Sequence, residues 1–140
     1  MNDLFVELGV TAALATGLNK AGITAPTEIQ TAVIPLALAG KDIAGQSATG
    51  TGKTLAYLLP LFQRVDAAKR EMQAIILAPT HELAIQIHRQ AEILALESGV
   101  AVRSAPVIGQ VNIARQIERL KDKPHIIVGS SGRILELIQK

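Results

Sequence analysis

The octapeptide Ser-Ala-Thr-Gly-Thr-Gly-Lys-Thr at positions 47–54 constrains this chain more than any other stretch. Before it lies an apolar-leaning segment, residues 41–46, that can form a buried strand, and after it residues 55–59 can begin a helix. The two glycines let the backbone curl, so that successive N–H groups point at one anion. A strand, a glycine-rich loop and a helix in this order are typical of a phosphate-binding loop. The alternative is an ordinary connection rich in glycine and threonine.

Two residues of this loop have individual predicted roles, and the loop as a whole is predicted to surround the phosphates. Lys53 would reach the β- and γ-phosphates of a nucleotide, and the Thr54 hydroxyl would bind Mg²⁺, so these two residues are the predicted catalytic and metal-binding groups. The N-terminus of the next helix adds the positive end of its dipole. The residues predicted to surround the phosphates are Ser47, Ala48, Thr49, Gly50, Thr51, Gly52, Lys53 and Thr54.

Beyond the loop, short apolar runs alternate with amphipathic helices. The pattern predicts strands at 41–46, 74–78, 100–107 and 125–128, and helices at 11–20, 27–39, 52–68, 80–97, 111–120 and 131–139. Strands without polar alternation, each followed by a helix, indicate an α/β fold with a parallel sheet flanked by helices. Ligands of such folds bind at the carboxyl ends of the strands. The phosphate loop and the segments after residues 78, 107 and 128 all fall there, so we expect them to share one edge.

Composition narrows the classes of function. A length of 140 residues is typical of one domain. The sequence has no cysteine, which excludes disulfides, thiolate metal sites and a cysteine nucleophile. Three aromatic residues are too few to grip single strands by base stacking, so a nucleic acid would be held by its phosphate backbone. The apolar runs are too short to span a bilayer, and the first residues do not resemble a secretory signal. We therefore expect no membrane association and a cytoplasmic location.

Residues 22–30, Gly-Ile-Thr-Ala-Pro-Thr-Glu-Ile-Gln, have two interpretations. In the first, Thr27 and Gln30 form a capping box, each satisfying a backbone N–H of the other at a helix start. In the second, the Gln30 amide binds adenine, because it can donate and accept at once and the adenine edge presents an acceptor and a donor. Spacing alone favours the capping box.

The same residues, with Phe5 seventeen positions before Gly22, resemble the adenine-sensing Q motif of DEAD-box RNA helicases. Further on, residues 79–86 (Pro-Thr-His-Glu-Leu-Ala-Ile-Gln) are similar to the family's Pro-Thr-Arg-Glu-Leu-Ala motif. Residues 107–110 lie where the family has a glycine pair, and 129–133 where it has Thr-Pro-Gly-Arg. The resemblance covers the whole chain in the family's order. It implies an incomplete RecA-like P-loop NTPase lobe over residues 1–140, with the Q-motif region at 1–31.

For the nucleotide, the resemblance implies ATP with Mg²⁺. Gln30 would recognise adenine, Thr27 would support the phosphate loop, and Phe5 would pack close to the base. Ile23 lies where the family often has an aromatic residue against the adenine face, so only aliphatic contact is expected there.

The resemblance also implies a contact surface for the phosphate backbone of single-stranded or duplex RNA. The matching positions are Pro79, Thr80, His81, Gly109, Gln110, Ser130 and Arg133. Thr80 and Ser131 are good helix N-caps whatever they bind, so a purely structural role stays open. His81, Gln110 and Ser131 replace an arginine, a glycine and a proline of the family. We therefore expect weaker RNA binding than is usual for the family at pH above about 7.

The sequence contains no Asp-Glu-Ala-Asp and no strand that ends in a carboxylate pair. The family places that pair beyond the Arg133 helix and uses it to hold Mg²⁺ and align water. We therefore expect the 140-residue chain alone neither to hydrolyse ATP nor to unwind RNA. We also expect open sheet edges, and with them a swapped or oligomeric arrangement. The alternatives are another P-loop NTPase, such as a kinase or DNA translocase, and a non-catalytic nucleotide- or RNA-binding fragment.

Overall fold

The computed structural model describes residues 3–47, 52–109 and 112–139. The elements in these ranges are α1 (Asp3–Glu7), α2 (Ala12–Lys20), α3 (Glu28–Leu38), α4 (Lys53–Arg64), β1 (Ala74–Leu77), α5 (His81–Ser98), β2 (Ser104–Val107), α6 (Ile113–Leu120), β3 (Ile126–Gly129) and α7 (Ser131–Ile138). The chain divides into two compact units. The first unit comprises Met1–Asp66 and Leu94–Val100, and the second comprises Ala67–Ile93 and Ala101–Lys140.

The first unit is helical. Helix α2 begins after Thr11, whose side-chain oxygen accepts a hydrogen bond from the Leu14 N–H at 3.5 Å. Helix α1 contacts α2, and α3 packs against α4. The interior is largely aliphatic, as the composition requires, and its buried apolar residues include Phe5, Leu14, Leu18, Ile34, Leu58, Leu59 and Phe62.

The second unit is built on a three-stranded parallel sheet in the order β1-β3-β2. All four residues of the central strand β3 are buried, which explains its uninterrupted Ile-Ile-Val sequence. A core cluster of Val107, Ile127 and Ile134 joins the sheet to α7, and Leu120 and Leu137 pack against it. None of the helices in the described ranges has the length and apolarity needed to cross a membrane.

Most predicted elements are confirmed, with ends shifted by a few residues, and the parallel sheet with flanking helices is confirmed as well. The predicted strand at 41–46 is wrong: residues 41–47 have no regular secondary structure, and 41–46 are exposed. A strand needs a hydrogen-bonded neighbour, and the three described strands pair only with one another. Helix α4 ends at Arg64 rather than residue 68, and α1 was not predicted.

Strand β2 begins at Ser104 instead of residue 100, and directly before it a side chain takes the place of a ladder partner. The Arg103 N–H donates to Nδ1 of the buried His125 at 2.9 Å. The Arg103 carbonyl accepts from the N–H groups of His125 and Ile126, at 2.9 and 3.1 Å. An imidazole therefore takes the position of a backbone acceptor, and this imidazole has a structural role.

Candidate functional site

The start of α3 forms the capping box that the spacing predicts. Thr27 Oγ1 accepts from the Gln30 N–H at 3.4 Å, and Gln30 Oε1 accepts from the Thr27 N–H at 2.9 Å. Thr27 has extended backbone angles, φ −77° and ψ 171°, as an N-cap residue should. The two side chains are thereby fixed to each other at one end of α3. This confirms the structural interpretation of the motif and leaves the adenine contact a prediction.

A second contact joins this motif to the phosphate loop. Gln30 Nε2 donates to the Gly52 carbonyl at 3.1 Å, although the residues are 22 positions apart. Gly52 has φ 85° and ψ 21°, in the left-handed region, and is the N-cap of α4. A Cβ at Gly52 would collide with Gln30 Nε2 and would lie 3.1 Å from Thr27 Oγ1. Glycine is thus required at this position both by the backbone angle and by the close approach of Gln30.

The two predicted catalytic residues begin α4. Lys53 is exposed, and Thr54 is half-buried, one turn before Tyr57. Burial raises the pKa of the Tyr57 phenol, and interaction with the Thr54 side chain lowers it in part. In the part of the chain that the structure describes, no three His, Cys, Asp or Glu side chains are grouped as metal ligands.

The other predicted nucleotide residues have different surroundings. Phe5 is completely buried, whereas Ile23 is half-buried and its N–H donates to the Leu18 carbonyl at 2.9 Å. Ser47 is also half-buried. Four predicted positions, Ala48, Thr49, Gly50 and Thr51, lie outside the described residues.

Sequence reasoning missed Gln63, which links α4 to the segment between α1 and α2. Its Oε1 accepts from the Thr11 N–H at 3.0 Å, and its Nε2 donates to the Gly9 carbonyl at 3.2 Å. The partners are more than 50 positions away in sequence, so no local pattern could have indicated them. The helix that begins at the phosphate loop therefore also fixes the segment that follows Phe5.

In the second unit, the predicted RNA-contact residues follow the carboxyl ends of the strands. Pro79 and Thr80 are exposed after β1. Thr80 Oγ1 accepts from the Leu83 N–H at 3.1 Å, so its predicted capping role is confirmed. After β3, the N-cap of α7 is Ser130 and not Ser131, and it makes no side-chain capping bond. The prediction of Ser131 as a cap is wrong, because Ser131 is the first helical residue of α7 and the cap precedes it.

Three of the predicted RNA-contact residues lie together. Arg133 Nη2 donates to the Gly109 carbonyl at 3.1 Å, and the ring of His81 lies 3.6 Å from the position that a Gly109 Cβ would take. Arg133 Nη1 also donates to Gln116 Oε1 at 3.3 Å, and Arg133 Nε lies 3.6 Å from a Glu136 carboxylate oxygen. The guanidinium is therefore bound on several sides and holds the segment after β2. Gln110, the next predicted residue, lies outside the described residues.

Gln116 completes this network and was not predicted. It is buried, and its Nε2 donates to the Ile108 carbonyl at 2.6 Å. A signal was present, because Gln116 is three residues after Ile113 and four before Leu120, on the apolar stripe of α6. A polar side chain on such a stripe needs a buried partner.

Comparison with known proteins identifies the family. The family model described as DEAD/DEAH box helicase matches residues 27–140. The chain belongs to this helicase family. It is 49% identical over 120 residues to the DEAD-box ATP-dependent RNA helicase CshC of Bacillus cereus, covering 86% of this chain and 30% of that protein. It is 47% identical over 136 residues to CshA of Bacillus anthracis, covering 97% and 25%.

Solved structures support the same conclusion. A DEAD box protein from the hyperthermophile Methanococcus jannaschii superposes with a TM-score of 0.89 at 37% identity, covering 96% of this chain and 36% of that one. Dbp5 of S. cerevisiae, bound to RNA and ADP BeF3, gives a TM-score of 0.80 at 30% identity, covering 96% and 34%. The fold is thus that of a RecA-like helicase lobe. The chain spans about a quarter to a third of the length of these relatives.

Replacing Gln116 with leucine should destabilise the helicase chain by about 1–3 kcal/mol, because the buried Ile108 carbonyl loses its donor. Urea unfolding followed by circular dichroism would measure the change. The control is Arg115→Leu on the exposed side of the same helix, which should change stability by less than about 0.5 kcal/mol. Equal effects of the two substitutions would contradict a role for the buried amide.

Stability should also depend on pH through His88 on α5. Its Nδ1 lies 2.8 Å from Ser104 Oγ and its Nε2 lies 3.2 Å from a Glu92 carboxylate oxygen. Burial lowers the pKa of the His88 imidazole, with Glu92 raising it and Arg89 lowering it. The unfolded chain therefore binds the proton more readily than the folded chain. This contribution to stability is present above the unfolded pKa of 6.5 and is lost as the pH falls towards the folded pKa.

The measurement is the urea midpoint of the wild type and of His88→Gln across this pH range. Carboxylates also titrate in acid, so the quantity that matters is the difference between the two proteins. The wild type should lose more stability than the variant as the pH falls below about 6.5. Parallel curves would contradict the prediction.

Proposed function

We propose that this chain is the ATP-binding portion of a DEAD-box ATP-dependent RNA helicase. It binds adenine nucleotide with Mg²⁺ in the first unit and the phosphate backbone of RNA in the second. The whole protein would couple ATP hydrolysis to RNA unwinding in the cytoplasm. The 140-residue chain, whose sequence lacks the Asp-Glu-Ala-Asp carboxylates, would bind its ligands without hydrolysing ATP.

The observation that carries the nucleotide proposal is the pair of bonds made by the Gln30 amide. Its oxygen accepts from the Thr27 N–H and its nitrogen donates to the Gly52 carbonyl. An amide oxygen can accept twice and an amide nitrogen can donate twice, so one acceptor and one donor position remain on the same group. The adenine edge offers one donor, N6–H₂, and one acceptor, N7. The bonds to Thr27 and Gly52 therefore hold the Gln30 amide in place, and the remaining donor and acceptor positions are the two that adenine would use.

The phosphate end of the proposed site uses the start of α4. Backbone N–H groups at the N-terminus of α4 and the charge of Lys53 would bind the phosphates. The Thr54 hydroxyl would bind Mg²⁺. The bound ion would neutralise charge on the β- and γ-phosphates. The required glycine at position 52 supports this assignment, since it brings Gln30 and the start of α4 together.

The RNA part of the proposal rests on the carboxyl ends of the strands in the second unit. Thr80 lies just before the first residue of α5 and Ser130 just before that of α7, and helix N-termini attract phosphate oxygens. Arg133 and Gln116 fix the backbone on either side of Gly109. The swapped or oligomeric arrangement stays a prediction. In its support, β1 and β2 each pair on one side only among the described strands, and strand edges are where another chain can pair.

The test is the preference for adenine in Gln30→Glu. Glutamate keeps an oxygen for the Thr27 N–H but has no donor for Gly52 or for adenine N7. Affinities for fluorescent ADP and GDP would be measured by anisotropy in the wild type and the variant. The wild type should prefer ADP. The variant should lose affinity for both nucleotides through the broken bond to Gly52, and about tenfold more for ADP than for GDP, the value of about one hydrogen bond to the base. An equal loss for both nucleotides would refute adenine recognition by this residue.

A further inference from the structure

A group of basic residues precedes the three strands of the second unit. This strand-start cluster consists of Lys69, Arg70, Arg103, Lys121 and Lys123, all of them exposed. Parallel strands have their amino ends at one edge of the sheet, so the segments before β1, β2 and β3 meet there. The segments 69–73 and 121–125 add only two carboxylates, Glu71 and Asp122, to these five cations. With Glu118, which pairs with Lys121, the cluster has a net formal charge of +2, equal to that of the whole chain.

Hydrogen bonds hold the cluster together despite the repulsion between its charges. Arg103 Nη1 donates to the Asp122 carbonyl at 2.8 Å, and Arg103 Nη2 donates to the Lys123 carbonyl at 2.7 Å. Arg70 Nη2 also approaches the Asp122 carbonyl, at 3.4 Å. A guanidinium has five N–H donors, so both arginines keep donors for a further acceptor. Lys121 pairs with Glu118 at 3.0 Å, but both side chains are exposed, and such a pair is easily exchanged.

The backbone at Lys123 points to a function for its side chain. Among the described residues, Lys123 is the one non-glycine with a positive φ, 53°. It lies just beyond the end of α6, where helices commonly end on a left-handed glycine. A lysine is disfavoured in this conformation, and an unfavourable backbone that persists is a reason to look for a function. Here it places one more cation beside Lys121 and Arg103.

We propose that the strand-start cluster is a second contact surface for the RNA phosphate backbone. The proposal rests on the proposed function for its ligand class. Segments 69–73 and 121–125 contain no Phe, Tyr or Trp, so contact would be with phosphates and not with stacked bases. Strands of four residues are about 13 Å long, so phosphates bound here differ from those bound at the carboxyl ends.

The experiment measures binding of a fluorescent oligouridine of about 12 nucleotides to the 140-residue chain between about 50 and 200 mM salt. A plot of log affinity against log salt has a negative slope, and Lys121→Gln and Lys123→Gly should each make it about 0.7 less steep. At 0.1 M salt this corresponds to about fivefold weaker binding. Lys123→Gly should at the same time raise the urea midpoint, because glycine relieves the positive φ. A lysine kept for structure alone would not produce these opposite effects.

Controls separate this inference from the proposed function. Lys20→Gln removes one charge from the first unit and should leave the slope unchanged. Thr80→Asp keeps a helix cap but repels phosphate at the carboxyl ends.

If Thr80→Asp weakens RNA binding and the two lysine variants do not, the proposed function stands and the second surface is refuted. Absence of salt-dependent RNA binding in the wild type would refute both. If the lysine variants lose binding to polyglutamate but not to RNA, the cluster binds acidic protein segments and the inference is wrong.

Discussion

Replacing Gly52 with alanine is expected to lower the affinity of the chain for ADP by about a hundredfold. Gly52 has φ 85°, and a Cβ there would collide with Gln30 Nε2. A left-handed non-glycine residue costs about 1–2 kcal/mol, and displacing Gln30 removes its bond to the Gly52 carbonyl, worth about 1 kcal/mol. In the free variant the segment around position 52 can relax out of this geometry, so that nucleotide binding has to restore it. A cost of about 2–3 kcal/mol, at about 1.4 kcal/mol for each tenfold, corresponds to a loss of affinity of about a hundredfold.

The matched control for this variant is Gly99→Ala. Gly99 also has a positive φ, 73°, but a Cβ there would have open space within 4 Å. It therefore carries the backbone cost without the collision and lies outside the predicted nucleotide residues. Anisotropy with fluorescent ADP should separate the two variants, with circular dichroism to confirm that both fold. If Gly52→Ala binds ADP as well as Gly99→Ala does, Gly52 does not couple Gln30 to the phosphate loop.

The behaviour of Gln30 shows what sequence can and cannot predict about a site. The capping box with Thr27 was predictable, because it depends on a spacing of three residues and on local backbone geometry. The bond to the Gly52 carbonyl was not, because a partner 22 positions away is set by how α3 packs against α4. The resemblance to a helicase motif assigned Gln30 a ligand, but it did not show that the amide already holds the start of α4.

Arg133 shows the same limit in the second unit. The resemblance implied that Arg133 contacts the RNA backbone, and in the structure its guanidinium contacts the Gly109 carbonyl, Gln116 and Glu136. This placement makes Arg133 a residue that orders the segment after β2, whether or not it also reaches a phosphate. The sequence shows that position 133 carries a positive charge, whereas the groups that Arg133 contacts depend on how α6 and α7 pack around the sheet.

The predicted strand at 41–46 failed for a different reason. An apolar-leaning run indicates that residues can be buried in a sheet, but a strand exists only where another strand completes its ladder. β1, β2 and β3 find such partners within the second unit, and their apolar runs were predicted correctly. Residues 41–47 have none among the described strands. Pairing, unlike burial, is not a property of one segment.

Replacing Gly129 with alanine is expected to destabilise the second unit by about 3 kcal/mol or more. A Cβ at Gly129 would collide with the Val107 carbonyl oxygen and would lie 2.9 Å from its carbon. These are backbone atoms of the paired strand β2, which cannot move aside as a flexible side chain can. Overpacking within a well-packed interior typically costs 1–3 kcal/mol, and a backbone collision adds the loss of ladder bonds.

Urea unfolding and amide hydrogen exchange would measure this effect, with Gly132→Ala as the control. Gly132 lies in the first turn of α7 with open space around a Cβ, so alanine there should stabilise the chain by about 0.5–1 kcal/mol. Among the described strands, β3 is the one paired on both sides, and Gly129 is opposite both Leu77 and Val107. Exchange in Gly129→Ala should therefore accelerate in β1 and β2 as well as in β3. Acceleration confined to β3 would contradict this expectation. Separating Gly129 from Val107 should weaken the pairing of β3 with both β1 and β2, and with it the order of the segments that begin α5 and α7 at the proposed RNA surface.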